Sequence, residues 1–511
     1  MEIINNKALL LKLRHPQQVT TVIPKSREVG TNNVLVRWGV DESHVLRNLN
    51  INVPSPIKGQ YDWPGQYKPF KHQKDTSAFL TMNRRAFCFN EQGTGKTASA
   101  IWASDFLLKQ RAIKRVLVIC PLSIMDSAWR GDLFNFAMHR RVDIAYGSAD
   151  KRRKIIGGDA EYVIINYDGV AIVQDAIIDG GFDLIVVDEA THYKNAQTTR
   201  WKTLNKILKP DTWLWMMTGT PAAQSPLDAY GLAKLINPTC VPRFFGSFRD
   251  MVMYKVSNFK WIPKESAVDT VFSALQPAIR YTKEDCLDLP DRVYVKREVE
   301  LTRQQKKYYN ELRNRMTIQA AGEEITAVNA AVNMNKLLQI SCGAIYTDKG
   351  DTLEFDIKHR YRVLREVIDE SSQKVLVFVP FKHAISILSG KLNDDGISNA
   401  IIQGNVPVGK RTEIFKMFQG QDDPRVLIIQ PAAAAHGVTL TAANTVVWWG
   451  PTSSLETYAQ ANARVHRAGQ KHKCTVVQLE GSLVEKHVYR LLDSKIDVHT
   501  QIIDLYNRLL D

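Results

Sequence analysis

The sequence predicts an α/β protein of two parallel-sheet lobes, with helical insertions between them and a small β-rich unit in front. Three observations lead there. From about residue 70, short β-branched runs alternate with amphipathic helical stretches; the pattern stops near Pro226; it returns with Lys374-Val375-Leu376-Val377-Phe378-Val379. Continuous apolar strands are buried on both faces, which requires a parallel sheet covered by helices. The composition suits this reading, with 44% hydrophobic and 23% charged residues. Such values exclude a disordered, collagen-like or coiled-coil chain. At about 150 residues per domain, 511 residues suggest three or four units.

Residues 1–66 form the β-rich unit, with Val34-Leu35-Val36-Arg37-Trp38 as a strand after the turn Gly30-Thr31-Asn32-Asn33. Val53-Pro54-Ser55-Pro56 and Trp63-Pro64-Gly65 are turn-rich and suit a linker. Residues 67–235 form the first lobe, with strands Val116-Leu117-Val118-Ile119, Tyr162-Val163-Ile164-Ile165 and Leu184-Ile185-Val186-Val187. Residues 236–350 read as helical protrusions and a linker rich in Lys, Arg and aromatic residues. Residues 351–511 form the second lobe, where Val426-Leu427-Ile428-Ile429 and Thr445-Val446-Val447-Trp448 follow the strand at Lys374. Trp213, Trp215, Trp448 and Trp449 flank strands and read as core.

Lys plus Arg number 67 against 53 Asp plus Glu, a net charge of +14. This suggests a polyanionic partner, nucleic acid before an anionic membrane surface; a soluble protein that happens to be basic is the plain alternative. The six cysteines are scattered without C-x-x-C spacing, which speaks against a disulfide framework or zinc site and for a reducing compartment. The early Glu2 and the short apolar run from Ala8 to Leu11 do not make a signal peptide, and no stretch reaches 18 apolar residues. The expectation is a cytoplasmic protein with no membrane contact.

Asn90-Glu91-Gln92-Gly93-Thr94-Gly95-Lys96-Thr97 follows the apolar stretch Ala86-Phe87-Cys88-Phe89 and precedes a helical stretch from Ala98 to Leu108. Glycines let backbone N–H groups turn inward around phosphate oxygens, and the helix N-terminus adds positive potential. Lys96 would reach the β- and γ-phosphates of ATP and Thr97 would ligate Mg2+. The strict motif has Gly where Asn90 stands, so a glycine turn capping a helix is the alternative. About a hundred residues on, the strand at Leu184 runs into Asp188-Glu189-Ala190-Thr191-His192. An acid at the carboxyl end of a central parallel strand faces the ligand crevice. Asp188 is placed to hold Mg2+ and Glu189 to orient and deprotonate water. Alone the pair is also a solvated strand end; after a phosphate loop it reads as catalytic.

These two segments resemble motifs I and II of superfamily-two helicases, and the other motifs follow in order. Phe70-Lys71-His72-Gln73 resembles the upstream glutamine motif, Val118-Ile119-Cys120-Pro121-Leu122-Ser123 motif Ia, and Val163-Ile164-Ile165-Asn166-Tyr167-Asp168 motif Ib. Thr218-Gly219-Thr220-Pro221 resembles motif III, Phe378-Val379-Pro380-Phe381-Lys382 motif IV, and Gly437-Val438-Thr439-Leu440-Thr441-Ala442-Ala443 motif V. Gln460-Ala461-Asn462-Ala463-Arg464-Val465-His466-Arg467-Ala468-Gly469-Gln470 resembles motif VI, and its R-x-H-R-x-G-Q ending marks the Swi/Snf branch. Arg280-Tyr281-Thr282-Lys283-Glu284-Asp285 with Leu289-Pro290 resembles the segment opening that branch's second lobe region. Trp448-Trp449-Gly450-Pro451 is similar to minimal bacterial and bacteriophage members. Two departures stand out. The run Gln430-Pro431-Ala432-Ala433-Ala434-Ala435-His436-Gly437 lacks the family's Ser-Thr and paired glycines, and Thr191 shifts His192 by one place.

The resemblance implies two RecA-like lobes with ATP between them. It implies ATP contacts from Gln73, Gly93, Thr94, Gly95, Lys96, Thr97, Gly437 and Gln460, Mg2+ held by Thr97 and Asp188, and catalysis by Lys96, Asp188, Glu189, Arg464 and Arg467. The two arginines are three apart and share a face if their segment is helical. DNA phosphates would meet Pro121, Ser123, Asn166, Thr218, Thr220, Lys382 and Thr439. Lys306-Lys307-Tyr308-Tyr309, Arg313 and Arg315 either face phosphate or form a solvated helix face. The implied function is a monomeric, ATP-driven translocase on double-stranded or branched DNA in replication, repair or recombination. A strand-separating DNA or RNA helicase and a nucleotide-gated protein-displacement factor are the alternatives.

Overall fold

Strand alternation explains the first element. β1 (Glu2–Ile4), β2 (Ala8–Lys12), β3 (Arg27–Glu28) and β4 (Asn33–Arg37) form an antiparallel sheet in the order β1-β2-β4-β3. Leu9, Leu11, Val34 and Val36 point inward onto Val19, Ile23, Trp38, Leu46 and Val53. This computed structural model describes residues 1–65, 67–219, 225–256, 261–286, 290–322, 327–346, 352–434, 438–467 and 469–494. They divide into two units, Met1–Cys286 and Leu287–Asp511, each with its own core.

The proline-rich stretch after the N-terminal sheet is not a free linker. Ile57–Gln60 is a helical turn, the Tyr61 hydroxyl donates to Asp105 Oδ2 at 2.5 Å, and the Trp102 indole N–H donates to the Pro64 carbonyl at 2.8 Å. Asp105 and Trp102 belong to the helix Lys96–Lys109, so the stretch is fastened to the helix that follows the glycine loop. Asp105 is buried and accepts from Arg140 as well, which compensates its desolvation.

The first unit's main sheet contains β5 (Arg85–Cys88), β6 (Val116–Cys120), β7 (Val142–Ile144), β8 (Tyr162–Asn166), β9 (Leu184–Asp188) and β10 (Trp213–Met217). β11 (Met253–Lys255) and β12 (Trp261–Pro263) make a separate hairpin, and β13 (Ala278–Ile279) returns to the main sheet. The order is β13-β5-β10-β9-β6-β8-β7, with every pairing parallel. All five residues of β6, β9 and β10 are buried, as their apolar runs require.

In the second unit, β14 (Arg292–Glu298), β17 (Lys374–Phe378), β18 (Asn399–Ile402), β19 (Val426–Ile429), β20 (Ala443–Trp448) and β21 (Cys474–Glu480) form another all-parallel sheet, ordered β14-β21-β20-β17-β19-β18. β15 (Ala344–Tyr346) and β16 (Thr352–Glu354) pair apart from it. The region read as helical insertion does carry long helices, Arg303–Gly322 and Ala327–Cys342, but it also supplies β13 to one sheet and β14 to the other. Trp213, Trp215, Trp448 and Trp449 are buried core residues, as expected. A buried ion pair, Arg360 with Glu485 at 2.8 Å, ties the helix Lys358–Glu370 to the helix Leu483–Asp493.

Candidate functional site

Register brings the first unit's candidate residues to one sheet edge. Met217 at the end of β10 pairs with Cys88 on one side and with Asp188 on the other. The loop leaving β5 and the acid ending β9 therefore stand level, one strand apart. In the loop, Gly93 (φ +88°) and Gly95 (φ +81°) occupy the left-handed region that glycine tolerates without strain. Lys96 then opens the helix Lys96–Lys109, with Thr97 in its first turn. Lys96 Nζ folds back to donate to the Asn90 carbonyl at 2.9 Å, and Thr94 Oγ1 donates to the Glu91 carbonyl at 2.7 Å.

Asn90, which replaces the first glycine of the strict motif, is fully buried and bonded on both sides. Its Nδ2 donates to Thr76 Oγ1 at 2.8 Å and its Oδ1 accepts from the Tyr281 N–H at 3.0 Å. The departure thus anchors the loop to two neighbouring segments. One of them is the Arg280–Asp285 stretch, which the resemblance assigns to the opening of the second lobe region. Its described residues lie in the first unit, where the Glu91 N–H donates to the Tyr281 carbonyl at 2.9 Å. Leu289 lies outside the described residues.

Gln73 Oε1 accepts from the Phe70 N–H at 2.9 Å and its Nε2 donates to the Thr94 carbonyl at 3.2 Å. His72 Nε2 donates to the same carbonyl at 2.8 Å. A Cβ on Gly95 would stand 2.1 Å from Gln73 Nε2. Gln73 therefore clamps the loop in this structure.

Asp188 is nearly buried. Its Oδ2 accepts from the Trp129 indole N–H at 2.9 Å and its Oδ1 from the Glu189 N–H at 3.0 Å. Glu189 has φ +49°, a left-handed conformation that a non-glycine residue adopts only when its surroundings hold it there. Tyr167 helps to hold it: its hydroxyl donates to the Asp188 carbonyl at 2.6 Å. The shifted His192 lies against the Tyr167 ring, tilted by 46° at 4.6 Å between centroids, and burial lowers its pKa, with the Arg200 charge adding to the effect. Burial pushes the Cys88 thiol up to about 11; Lys96 opposes that rise and Asp188 adds to it, as befits a thiol flanked by both groups. Thr97 and Asp188 offer a hydroxyl and a carboxylate, the hard oxygen donors that suit Mg2+.

Trp129 carries no motif signal and was not foreseen. It sits on a π-helical turn, Met125–Arg130, just beyond the motif Ia residues. Such turns recur at functional sites. Of the strand-contact candidates, Ser123 follows the end of β6 and Asn166 is the last residue of β8, and both are half-buried. Asn166 Oδ1 accepts from the buried Arg152 at 3.0 Å. Pro121 and Thr218 are buried, so their side chains reach a strand only through neighbours. The Thr218 N–H donates to the Cys88 carbonyl at 3.1 Å, and Gly219 lies against Gln92, which brings the motif III segment onto the glycine loop. Thr220 and Pro221 lie outside the described residues.

In the second unit, the helix Leu455–Asn462 ends before Arg464 and Arg467, so the helical condition for a shared face is not met. Both arginines come from the turn that follows. Arg464 is nearly buried and its carbonyl accepts from the Leu440 N–H at 2.9 Å; Arg467 Nη1 donates to the Val438 carbonyl at 3.2 Å. Motif VI is thereby stitched to motif V, and Gln470 adds a bond to the Ala443 carbonyl at 2.8 Å. Gln460 is buried and donates to Glu456 at 3.0 Å. Lys382 is exposed and Thr439 half-buried, while Gly437 lies outside the described residues. Gln430 Oε1 accepts from the Gly404 N–H at 3.2 Å. On the long helix, Tyr309 is core and Lys306 pairs with Glu300, leaving Lys307 and Arg315 exposed.

Two all-parallel sheets, one with its glycine loop level with the buried Asp188, accord with a helicase-type ATP-dependent enzyme, the class that the family matches establish. The SNF2-related domain matches residues 72–346 and the helicase conserved C-terminal domain matches residues 359–469; the chain belongs to the SNF2 family. It is 24% identical over 418 residues to an uncharacterized ATP-dependent helicase of Mycoplasma genitalium, across 80% of this chain and 39% of that one. It is 24% identical over 449 residues to a Caenorhabditis elegans homolog of the SWI/SNF-related matrix-associated actin-dependent regulator of chromatin subfamily A-like protein 1, across 85% of this chain and 61% of that one. The chain thus spans only part of these relatives' length. The Sulfolobus solfataricus SWI2/SNF2 ATPase core in complex with dsDNA aligns at 21% identity and a TM-score of 0.43, over 86% of this chain and 94% of that chain.

Proposed function

We propose that this protein is a DNA-dependent ATPase that moves along double-stranded or branched DNA in replication, repair or recombination, as a monomer in the cytoplasm. The observation that carries the reading is the register of Cys88, Met217 and Asp188, which sets the glycine loop level with a buried acid. Lys96 would leave the Asn90 carbonyl for the β- and γ-phosphates when ATP arrives. Glu189 would orient the attacking water and take its proton. Mg2+, held by Thr97 and Asp188, would neutralise phosphate charge. Motif VI would supply guanidinium groups for the γ-phosphate through Arg464 and Arg467.

The DNA partner is supported by the +14 net charge and by Ser123 and Asn166 on the sheet edge that ends in Asp188. Contacts of this kind address phosphates, so binding would be salt-sensitive and indifferent to sequence. The test is ATP hydrolysis at one fixed salt concentration with no nucleic acid, duplex, single strand, fork or RNA. Stimulation by plain duplex is expected; stimulation only by single strands or RNA refutes a duplex translocase. Glu189→Gln should bind ATP and duplex normally while turnover falls at least about a hundredfold, as expected for loss of a general base. Normal turnover in that variant would remove Glu189 from its role.

A further inference from the structure

Beyond the acidic pair, the end of β8 holds three consecutive residues with three different attachments. Asn166 is a candidate strand contact at the sheet edge. Tyr167 is buried, and its hydroxyl reaches the Asp188 carbonyl at 2.6 Å and the Glu189 carbonyl at 3.5 Å. Asp168 accepts two bonds from the Arg200 guanidinium, at 2.9 Å from Nε and 2.7 Å from Nη2. The same guanidinium lies over the Tyr167 ring at 5.5 Å, and the ring also meets the His192 imidazole.

We propose that Arg200 is the group a DNA phosphate engages here, and that Tyr167 is the positioning residue that carries this event to Glu189; the inference rests on the DNA-dependent ATPase reading. The two ends of the assembly differ in the way such a relay needs. The Arg200–Asp168 pair is exposed, with 37% and 70% of the respective side chains open, and exposed pairs are held weakly. Arg200 meets only one oxygen of Asp168, whereas a DNA phosphodiester offers the guanidinium two oxygens within an array of like-charged phosphates, so it displaces Asp168. At the other end, the Tyr167 hydroxyl bond is buried and has no water to replace it. A shift of Arg200 off Asp168 therefore moves the ring it covers, and the ring moves the peptide that holds Glu189 in its left-handed conformation. Such a small rotation re-aims the carboxylate toward or away from the water it must orient. The shift of the motif II histidine acquires a reason as well, since His192 forms the second wall of the Tyr167 slot.

The test compares kcat with saturating duplex to kcat without DNA, alongside KM for ATP and Kd for duplex. Tyr167→Phe removes only the hydroxyl. It should lower the stimulation ratio about tenfold while Kd and KM stay within twofold. Arg200→Gln, a surface change that leaves the core intact, should weaken stimulation at matched DNA occupancy, and Arg200→Lys should restore it in part. Asp168→Asn frees Arg200 and should lower the duplex concentration for half-maximal stimulation about threefold. Full stimulation in Tyr167→Phe and Arg200→Gln overturns the relay. So does a Tyr167→Phe variant whose basal and stimulated rates fall in equal proportion, because that is a loss of site integrity alone. Absence of stimulation in the unaltered protein overturns the DNA-dependent reading itself, and is distinguishable because it needs no variant.

Discussion

Trp129→Phe isolates a single donor at the acidic pair. The indole N–H gives Asp188 Oδ2 a 2.9 Å bond inside a site where Asp188 is 7% exposed and Trp129 1% exposed. Two effects oppose each other. Without the donor the carboxylate is more basic and attracts a cation more strongly, but it also loses one of the bonds that set its orientation toward the proposed Mg2+, keeping the one from the Glu189 N–H. A hydrogen bond to a charged group contributes about 1.5–3 kcal/mol, which at about 1.4 kcal/mol per decade is roughly 10–150-fold in affinity. Residues that orient metal ligands typically change metal affinity by about 10–100-fold on mutation, so the lost orientation should win. The expected result is a Mg2+ requirement raised at least about tenfold, at saturating ATP. Mn2+ binding in the presence of ADP, followed by electron paramagnetic resonance, should weaken in parallel. Smaller packing at this core position should also cost about 1–3 kcal/mol of stability, to be checked by urea unfolding. A folded variant whose Mg2+ requirement and Mn2+ affinity both stay within twofold would refute the orienting role.

Two further outcomes concern stability. Arg360→Met strands Glu485, which is fully buried, and should cost about 3–5 kcal/mol in urea unfolding, as broken buried pairs do. Arg365→Met removes the half-exposed partner of Asp395 and should cost under about 1 kcal/mol by the same assay; equal costs would contradict the burial argument. His44, bonded to the Thr81 carbonyl, has its pKa lowered from 6.5, by burial first and also by Arg84. A depressed folded pKa means that the unfolded chain binds the proton more tightly, so this contribution is complete above about pH 6.5 and lost as pH falls through the folded value. His44→Gln should flatten the fall in stability between about pH 7 and 5; an unchanged slope would place the acid sensitivity elsewhere.

The strands that could be read from the sequence are those whose surroundings are uniform. β6, β8, β9, β17 and β19 are runs of β-branched and aliphatic residues, because helices cover both of their faces, and each was placed within a residue or two. The missed strands sit where that uniformity fails. β14 reads Arg-Val-Tyr-Val-Lys-Arg-Glu and is an edge strand without a buried residue, four of its seven positions being charged. β21 is central but contains Gln478, a fully buried residue whose Nε2 is bonded to Tyr458 and Asp493, each at 2.8 Å. A polar residue in a strand breaks an apolar pattern even when distant groups in the fold satisfy it. The prolines after the N-terminal sheet misled in the opposite direction. Turn chemistry marks where the chain bends, but not whether the bend is fastened, and Tyr61 and the Pro64 carbonyl fasten it.

The same distinction governs the site. Lys96, Thr97, Asp188 and Glu189 can be proposed from the sequence because phosphate chemistry demands those residue types next to a glycine turn and at a strand end, and both demands are local. What holds these groups is not local. Asp188 depends on an indole 59 residues earlier in the chain, and its peptide on a phenol 21 residues earlier. The loop at Gly95 depends on Gln73, 22 residues before it, and Asn90 on Tyr281, 191 residues away. No spacing rule connects these pairs, since they arise from the parallel order that places β5, β10 and β9 side by side and β8 one strand beyond β6. The motif residues define a chemistry that many chains share. The supports decide how firmly each group is held in this one, and hence which of them a partner at the sheet edge can move.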